Sequence, residues 1–116
     1  MSLQSAMNTA LSGIHYASTA ISVYANNLAN QQTDGFKESD PVAETQPHNQ
    51  GVRLSAVQSN PSQGSIVDGV ELSNTNIAAN LLNLDTAALL AKSSYTVLKT
   101  TNDTFDSLLM LGRRWD

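Results

Sequence analysis

Residues 3–30 read LQSAMNTALSGIHYASTAISVYANNLAN, and none of them is charged. Leu3, Met7, Ala10, Ile14, Ala17, Ile21, Tyr24 and Leu28 recur in steps of four and three, a heptad seam sustained along the whole stretch. Leu11, Tyr16, Val23 and Ala25 lie beside it, so the apolar face is wider than a two-stranded contact needs. The rest of the surface is Ser, Thr, Asn and Gln, side chains that are buried at far lower cost than charges when hydrogen-bonded. Gly13 either weakens the helix or lets another backbone approach closely. Asn26, Asn27 and Asn30 crowd the end, and Asp34-Gly35 signals a turn. The spacing predicts a helix over 3–31.

A second segment has the same grammar. Ile77, Leu81, Leu84, Ala88, Ala91, Tyr95, Leu98, Asn102, Phe105 and Leu109 again alternate four and three, with Asn102 the one polar seam position. Ser73, Asn74 and Asn76 offer amino-terminal caps. Gly112 offers a stop, and Arg113 and Arg114 suit the negative end of a helix. Asp85, Lys92, Lys99 and Asp106 recur every seven residues along a line flanking the seam, either facing a neighbouring helix or solvated. The spacing predicts a helix over 75–111. Two such helices can pair, but their outward faces still carry apolar residues, so the seam width predicts contacts with other chains.

Between them, residues 34–72 hold all three prolines, Pro41, Pro47 and Pro61. Val52, Leu54 and Ala56 alternate with Arg53 and Ser55, a weak strand signal. Ile66-Val67 and Val70-Glu71-Leu72 flank Asp68-Gly69, a better hairpin signal. The expected fold is mainly α: two long antiparallel amphipathic helices forming a coiled-coil hairpin, with a short middle that is irregular or holds a small β-hairpin. The expected division is an amino-terminal helix region 1–33, a linker or β segment 34–72, a carboxy-terminal helix region 73–112 and a tail 113–116.

Composition narrows the function classes. Charged residues are 14% of 116, with ten acids against six bases, and Ser, Asn, Thr and Gln supply 42 positions. That acidic balance argues against phosphate-neutralising nucleic-acid binding. No apolar run approaches the ~20 residues of a membrane span, and no basic, then apolar, then small-residue start suggests a cleaved signal. A chain without cysteine has neither disulfides nor thiolate metal sites. His15 sits beside the apolar seam and reads as a packing residue, and His48 between Pro47 and Asn49 reads as a solvated loop residue. No metal-binding His spacing, Gly-x-Ser-x-Gly elbow or phosphate loop is present. Neither enzyme activity nor a cofactor or metal is expected, and a hydrolase built from a serine with His15 or His48 has no supporting motif. A membrane-surface helix lacks the basic polar face it needs. Tyr16, Tyr24 and Tyr95 read as core residues whose hydroxyls reach partners, Phe36 as folding back on the helix end, and Trp115 as part of a frayed terminus or a contact anchor.

One set of residues goes beyond pattern. Ala10-Leu11-Ser12-Gly13-Ile14, Ala20-Ile21, Ala25-Asn26-Asn27-Leu28-Ala29-Asn30 and Thr33-Asp34-Gly35-Phe36-Lys37 stand in the order and spacing of the amino-terminal signature of bacterial flagellar rod and hook axial proteins, which this stretch resembles. Gln63-Gly64-Ser65, Leu72-Ser73-Asn74-Thr75-Asn76-Ile77, Leu81-Leu82-Asn83-Leu84, Tyr95, Leu98-Lys99-Thr100 and Leu108-Leu109 look like the family's carboxy-terminal helix. Asn76, Ala78, Ala79 and Asn80 stand where that helix often carries acids.

The resemblance implies a structural subunit of the basal-body rod. Its terminal helices would pair as a coiled coil and stack around a central export channel. Its partners would be copies of itself, other rod and hook subunits and the flagellar type III export apparatus. Its place would be the periplasmic rod, reached without a cleaved signal. The short middle resembles the proximal-rod members, since it has no room for a large inserted domain. The assembly interface expected from the seams comprises the heptad residues named above, except Asn102. The competing reading is a helical-hairpin adaptor that binds one other flagellar or secretion protein.

Overall fold

The computed structural model describes residues 2–114, and Trp115 lies outside that range. Helix α1 spans Leu3–Ala29, the strands are β1 (Ser39–Thr45), β2 (Val52–Ser59), β3 (Ile66–Val67) and β4 (Val70–Glu71), and helix α2 spans Ile77–Arg114. The expected helical hairpin is present, and the middle holds two small antiparallel hairpins, β1–β2 and β3–β4. The Asp68-Gly69 hairpin stands where the sequence placed it, with positive φ at both turn residues.

Local chemistry sets the helix ends. The Ser2 hydroxyl accepts the Ser5 N–H at 3.0 Å and starts α1. Asn30 closes it: its side chain donates to the Asn26 carbonyl at 2.9 Å, and its Oδ1 accepts from the Thr33 hydroxyl. Gly35, with φ +71, then turns the chain, and its N–H donates to the Glu71 carbonyl. Asn76 caps α2 by accepting the Ala79 N–H at 3.0 Å. Gly112 does not stop α2. The helix runs through Arg113 and Arg114, which the sequence reading placed in a tail.

The unforeseen strand is β1. Pro41 sits in it, buried, which a strand with one free edge tolerates. The β1–β2 pairing slips by one residue between Val42 and Ala43, leaving Ser55 as a bulge. On β2, Val52, Leu54 and Ala56 are the more covered alternate residues. This hairpin lies along α1, where the Ser12 hydroxyl accepts the Val52 N–H at 3.2 Å.

The helices meet through a seam one residue away from the expected one at alternate positions. Within α1 the buried residues are Ala10, Gly13, Ala17, Ala20 and Asn27, and within α2 they are Asn80, Ala87, Ser94 and Thr101. Ala10, Ala17 and the half-buried Leu84, Ala91 and Leu98 belong to both seams. Elsewhere the chain buries Gly13 beside Ile14, Ala20 beside Ile21, and Ser94 beside Tyr95. The reason is distance. A Cβ on Gly13 would stand 2.6 Å from the Ser94 hydroxyl oxygen, so the helices are too close for large side chains between them. Large apolar residues are displaced to the flanks.

Candidate assembly surfaces

Two features stand out, a buried amide knot at one end and an apolar stripe on the outside. Asn27, from the amino-terminal signature, is fully buried. Its Nδ2 donates to the Ser39 carbonyl and to Asn80 Oδ1, both at 2.8 Å, and its Oδ1 accepts the Ser39 N–H at 2.9 Å. Asn80 passes the chain on, donating to Glu38 Oε2 at 2.8 Å and to the Asn76 carbonyl. The same carboxylate oxygen accepts the Asn76 N–H, so an anion sits at the positive amino-terminal end of α2. Asn74 accepts the Glu38 N–H at 2.7 Å and donates to the Asn60 and Ser62 carbonyls. Thr75 donates to the Asn27 carbonyl.

A second tie lies beside the knot. Lys37 pairs with Glu71 and donates to the Ser62 carbonyl at 2.9 Å. Gly64 also gives its N–H to Glu71, and a Cβ there would overlap the Leu72 carbonyl. The hydrogen bonds from Lys37, and secondly from Gly64, hold the Glu71 carboxyl below its ordinary range. Residues of the two signature halves, far apart in sequence, thus close on one another. No sequence pattern marks Glu38 or Glu71, and in the sequence Asn80 reads only as a missing charge. It serves as the neutral partner of both Asn27 and Glu38.

The large apolar residues lie outside. The fully buried apolar residues within the helices are alanines, apart from Gly13, while Ile77, Leu81, Tyr95, Phe105 and Leu109 of the expected α2 seam are exposed. Ala88 is exposed too, and Leu3, Met7, Ile14, Ile21, Tyr24 and Leu28 are half-buried. The β1–β2 hairpin covers the side of α1 that carries Ser12, Tyr16 and Thr19, and Leu90 and Val97 line the adjacent groove with Val52. On helical spacing Ile14, Ile21 and Leu28 fall on the opposite side of α1, and Leu81, Ala88 and Tyr95 on the same side of α2. That side is an uncharged apolar stripe, bordered by Asp85, Lys92 and Lys99. Lys99 donates to Asp103 at 3.1 Å on the exposed surface, so that charge is partnered within α2.

Other polar groups are ordinary in their surroundings. Tyr16 and Tyr24 line one recess with Ala20 and Leu90. Burial, then Tyr16 and Asp40, raise the Tyr24 phenol above its usual value. His15 is exposed on α1 and His48 is exposed in the β1–β2 turn. Among the described residues no three or more His, Cys, Asp or Glu cluster as metal ligands, and no helix is long and apolar enough to cross a membrane.

The fold and its surfaces define a class: a helical hairpin locked by amides, with its bulky apolar residues turned outward. Residues 7–37 match the family of flagella basal body rod proteins, a stretch covering most of α1 and the turn through Lys37. The match includes Asn26, Asn27, Leu28, Ala29, Asn30, Thr33, Gly35, Phe36 and Lys37, and it supports a flagellar basal-body rod component with a flagellar location. The matched family is one of structural proteins, not of enzymes. No curated protein matches the chain.

Proposed function

We propose that this chain is a structural subunit of the rod that polymerises with copies of itself and other axial subunits around a central channel. Its lateral contacts are the uncharged stripe of Ile14, Ile21, Leu28, Leu81, Ala88 and Tyr95, extended by Met7 and Ile77, while Ala10, Ala17, Leu84, Ala91 and Leu98 serve the contact between the two helices of one chain. The observation that carries this reading is the exposure of Leu81 and Tyr95, half or more open, beside a seam of alanines and amides. A monomer gains little by placing its larger apolar groups in water, whereas an assembly buries them at ~25 cal/mol per Å². In this reading the subunit leaves through the type III export apparatus without a cleaved signal and occupies the periplasmic rod. The regions 1–33, 34–72 and 73–112 then act as first axial helix, connecting hairpins and second axial helix.

Leu81→Asp tests the proposal. Leu81 is outside the intrachain seam, so circular dichroism should show unchanged helicity while assembly, followed by sedimentation and electron microscopy, is lost because the charge would be buried. Normal filaments from Leu81→Asp would refute the stripe. A closed complex of fixed size with one partner would instead point to the adaptor reading.

A further inference from the structure

Two aspartates of the chain are followed directly by glycine, in Asp34-Gly35 and Asp68-Gly69. Glycine has no Cβ to shield its nitrogen, so in such a pair the aspartyl carboxyl and the next backbone nitrogen can meet. Both pairs sit in exposed turns, with φ +71 at Gly35 and +79 at Gly69. Nothing lies within 4 Å of where a Cβ would stand on either glycine. In sequence and exposure the two pairs are equivalent. Their hydrogen bonds separate them.

The Gly35 N–H donates to the Glu71 carbonyl at 2.8 Å, and its turn is closed by the Phe36 N–H on the Thr33 carbonyl at 3.2 Å. The Phe36 carbonyl in turn accepts the Asn74 N–H at 3.1 Å, which anchors this turn to the stretch leading into α2. The Gly35 nitrogen cannot reach the Asp34 carboxyl without releasing its bond to Glu71. The Gly69 N–H, by contrast, meets no acceptor among the described residues. Its turn is spanned by two residue pairs, Val67–Val70 and Ile66–Glu71, and Ile66, Val67 and Val70 are themselves exposed. Ribbons that short are marginal and open locally at little cost. Asp68 also carries φ +50, a left-handed conformation that aspartate tolerates and that opening relieves.

We propose that Asp68-Gly69 is a site of spontaneous covalent modification, aspartate to isoaspartate, and that the fold shields Asp34-Gly35 from the same reaction. The Gly69 nitrogen attacks Cγ of the protonated Asp68 carboxyl. The N–Cγ bond forms as one carboxyl oxygen leaves as water, taking the amide proton and the carboxyl proton with it. The product is a five-membered succinimide. Water then adds to one of the two ring carbonyls. Addition at the main-chain carbonyl carbon of Asp68 breaks its bond to nitrogen and leaves the chain running through Cγ, which is isoaspartate. Addition at Cγ restores aspartate. The water lost is regained, nothing is oxidised or reduced, and the mass is unchanged. Isoaspartate places one more carbon in the main chain of a two-residue loop, and loop length sets hairpin register. The pairing that presents Glu71 to Gly35, Gly64 and Lys37 is what the change loosens. The reaction needs only water and does not depend on the rod-subunit reading.

Ageing the full chain in neutral buffer, followed by peptide mapping, tests the site. Trypsin leaves Asp34 on the peptide ending at Lys37 and Asp68 on the peptide from Leu54 to Lys92. Isoaspartyl and aspartyl peptides have equal mass but separate by chromatography, and fragmentation at the altered linkage locates it. In the native chain isoaspartate should accumulate at Asp68 about fivefold or more faster than at Asp34, the factor that one net hydrogen bond supplies. In urea the two rates should converge, because both nitrogens are then free. Asp68→Glu requires a slower six-membered closure, so its peptide should stay free of product while Asp34 converts at the wild-type rate. Equal native rates, faster conversion of Asp34, absence of product at Asp68, or a contrast that persists undiminished in urea each overturns the proposal. So does wild-type product in the Asp68→Glu peptide, which would place the reaction at Asp85. The readout is a linkage and not an assembly, so its failure leaves the rod reading standing, and normal filaments from Leu81→Asp would leave this site standing.

Discussion

At one end of the hairpin Asn27, Glu38, Asn74 and Asn80 saturate one another and the backbone around them. At the other, α2 outruns its partner and leaves Phe105, Leu108 and Leu109 bare. The contrast shows how a chain with almost no large apolar core keeps a defined register. Alanines allow close approach but say little about which turn faces which. A buried amide that must meet Ser39 and Asn80 at once specifies one alignment. Order is concentrated where the two signature halves meet, and apolar surface is held in reserve where they do not.

Removing the knot should erase that contrast, and it carries the largest expected effect. Asn27→Leu strands the Ser39 N–H and C=O and the Asn80 oxygen without water, so a loss of about 3 kcal/mol or more is expected in urea unfolding. Asn27→Asp keeps the size but lacks the two donated bonds, and should also fall well below wild type. Stability unchanged in both would mean that the knot is an ornament on a hairpin held elsewhere.

Between the two ends, the Gly13–Ser94 approach sets how close the helices come. Gly13→Ala alone should lower the melting temperature, at a cost of about 1 kcal/mol, because its methyl meets the Ser94 oxygen at 2.6 Å. Adding Ser94→Ala removes that oxygen and leaves only the Ser94 Cβ position, 3.4 Å away. The double variant should then exceed wild type by up to ~1 kcal/mol through helix propensity. Equal melting of the single and double variants would show that close approach is not what selects small residues here.

The helices were legible because apolar steps of four and three persist through both segments, and the β3–β4 turn because Asp68-Gly69 has few alternatives. The phase of the seam was not. Ile14, Ile21, Leu81 and Tyr95 are the larger side chains and draw the eye to a core they do not form. The signal that would have found it was the weaker recurrence of Ala10, Gly13, Ala17 and Ala20 with Ala87, Ala91 and Ser94, a pattern of close approach rather than of bulk. Strand β1 was hidden by Pro41 and by polar Ser39 and Asp40. Asn27 was visible as a motif residue, but its partners Glu38 and Asn80 are brought to it only by the tertiary fold, and no local spacing links them.

The smallest effect refines which bonds around the knot matter. Lys37 and Gly64 lower the Glu71 carboxyl relative to its unfolded value. A group whose folded pKa is depressed stabilises the fold above the unfolded value, ~4.3 for glutamate, and that contribution disappears as pH falls through the folded pKa. The Glu71 side-chain carbon, followed by NMR, should therefore titrate below the ordinary glutamate range, and the β3–β4 resonances should shift only in acid. Lys37→Met should move that titration upward, with Gly64 keeping part of the depression, while the Asn27 side-chain amide resonances stay in place at neutral pH. Movement of the Asn27 resonances in Lys37→Met would mean that the ion pair and the amide knot are one network. A Glu71 titration indifferent to Lys37 would show that the turn is held by its backbone bonds alone, Gly35 to Glu71 and Leu72 to Ser65.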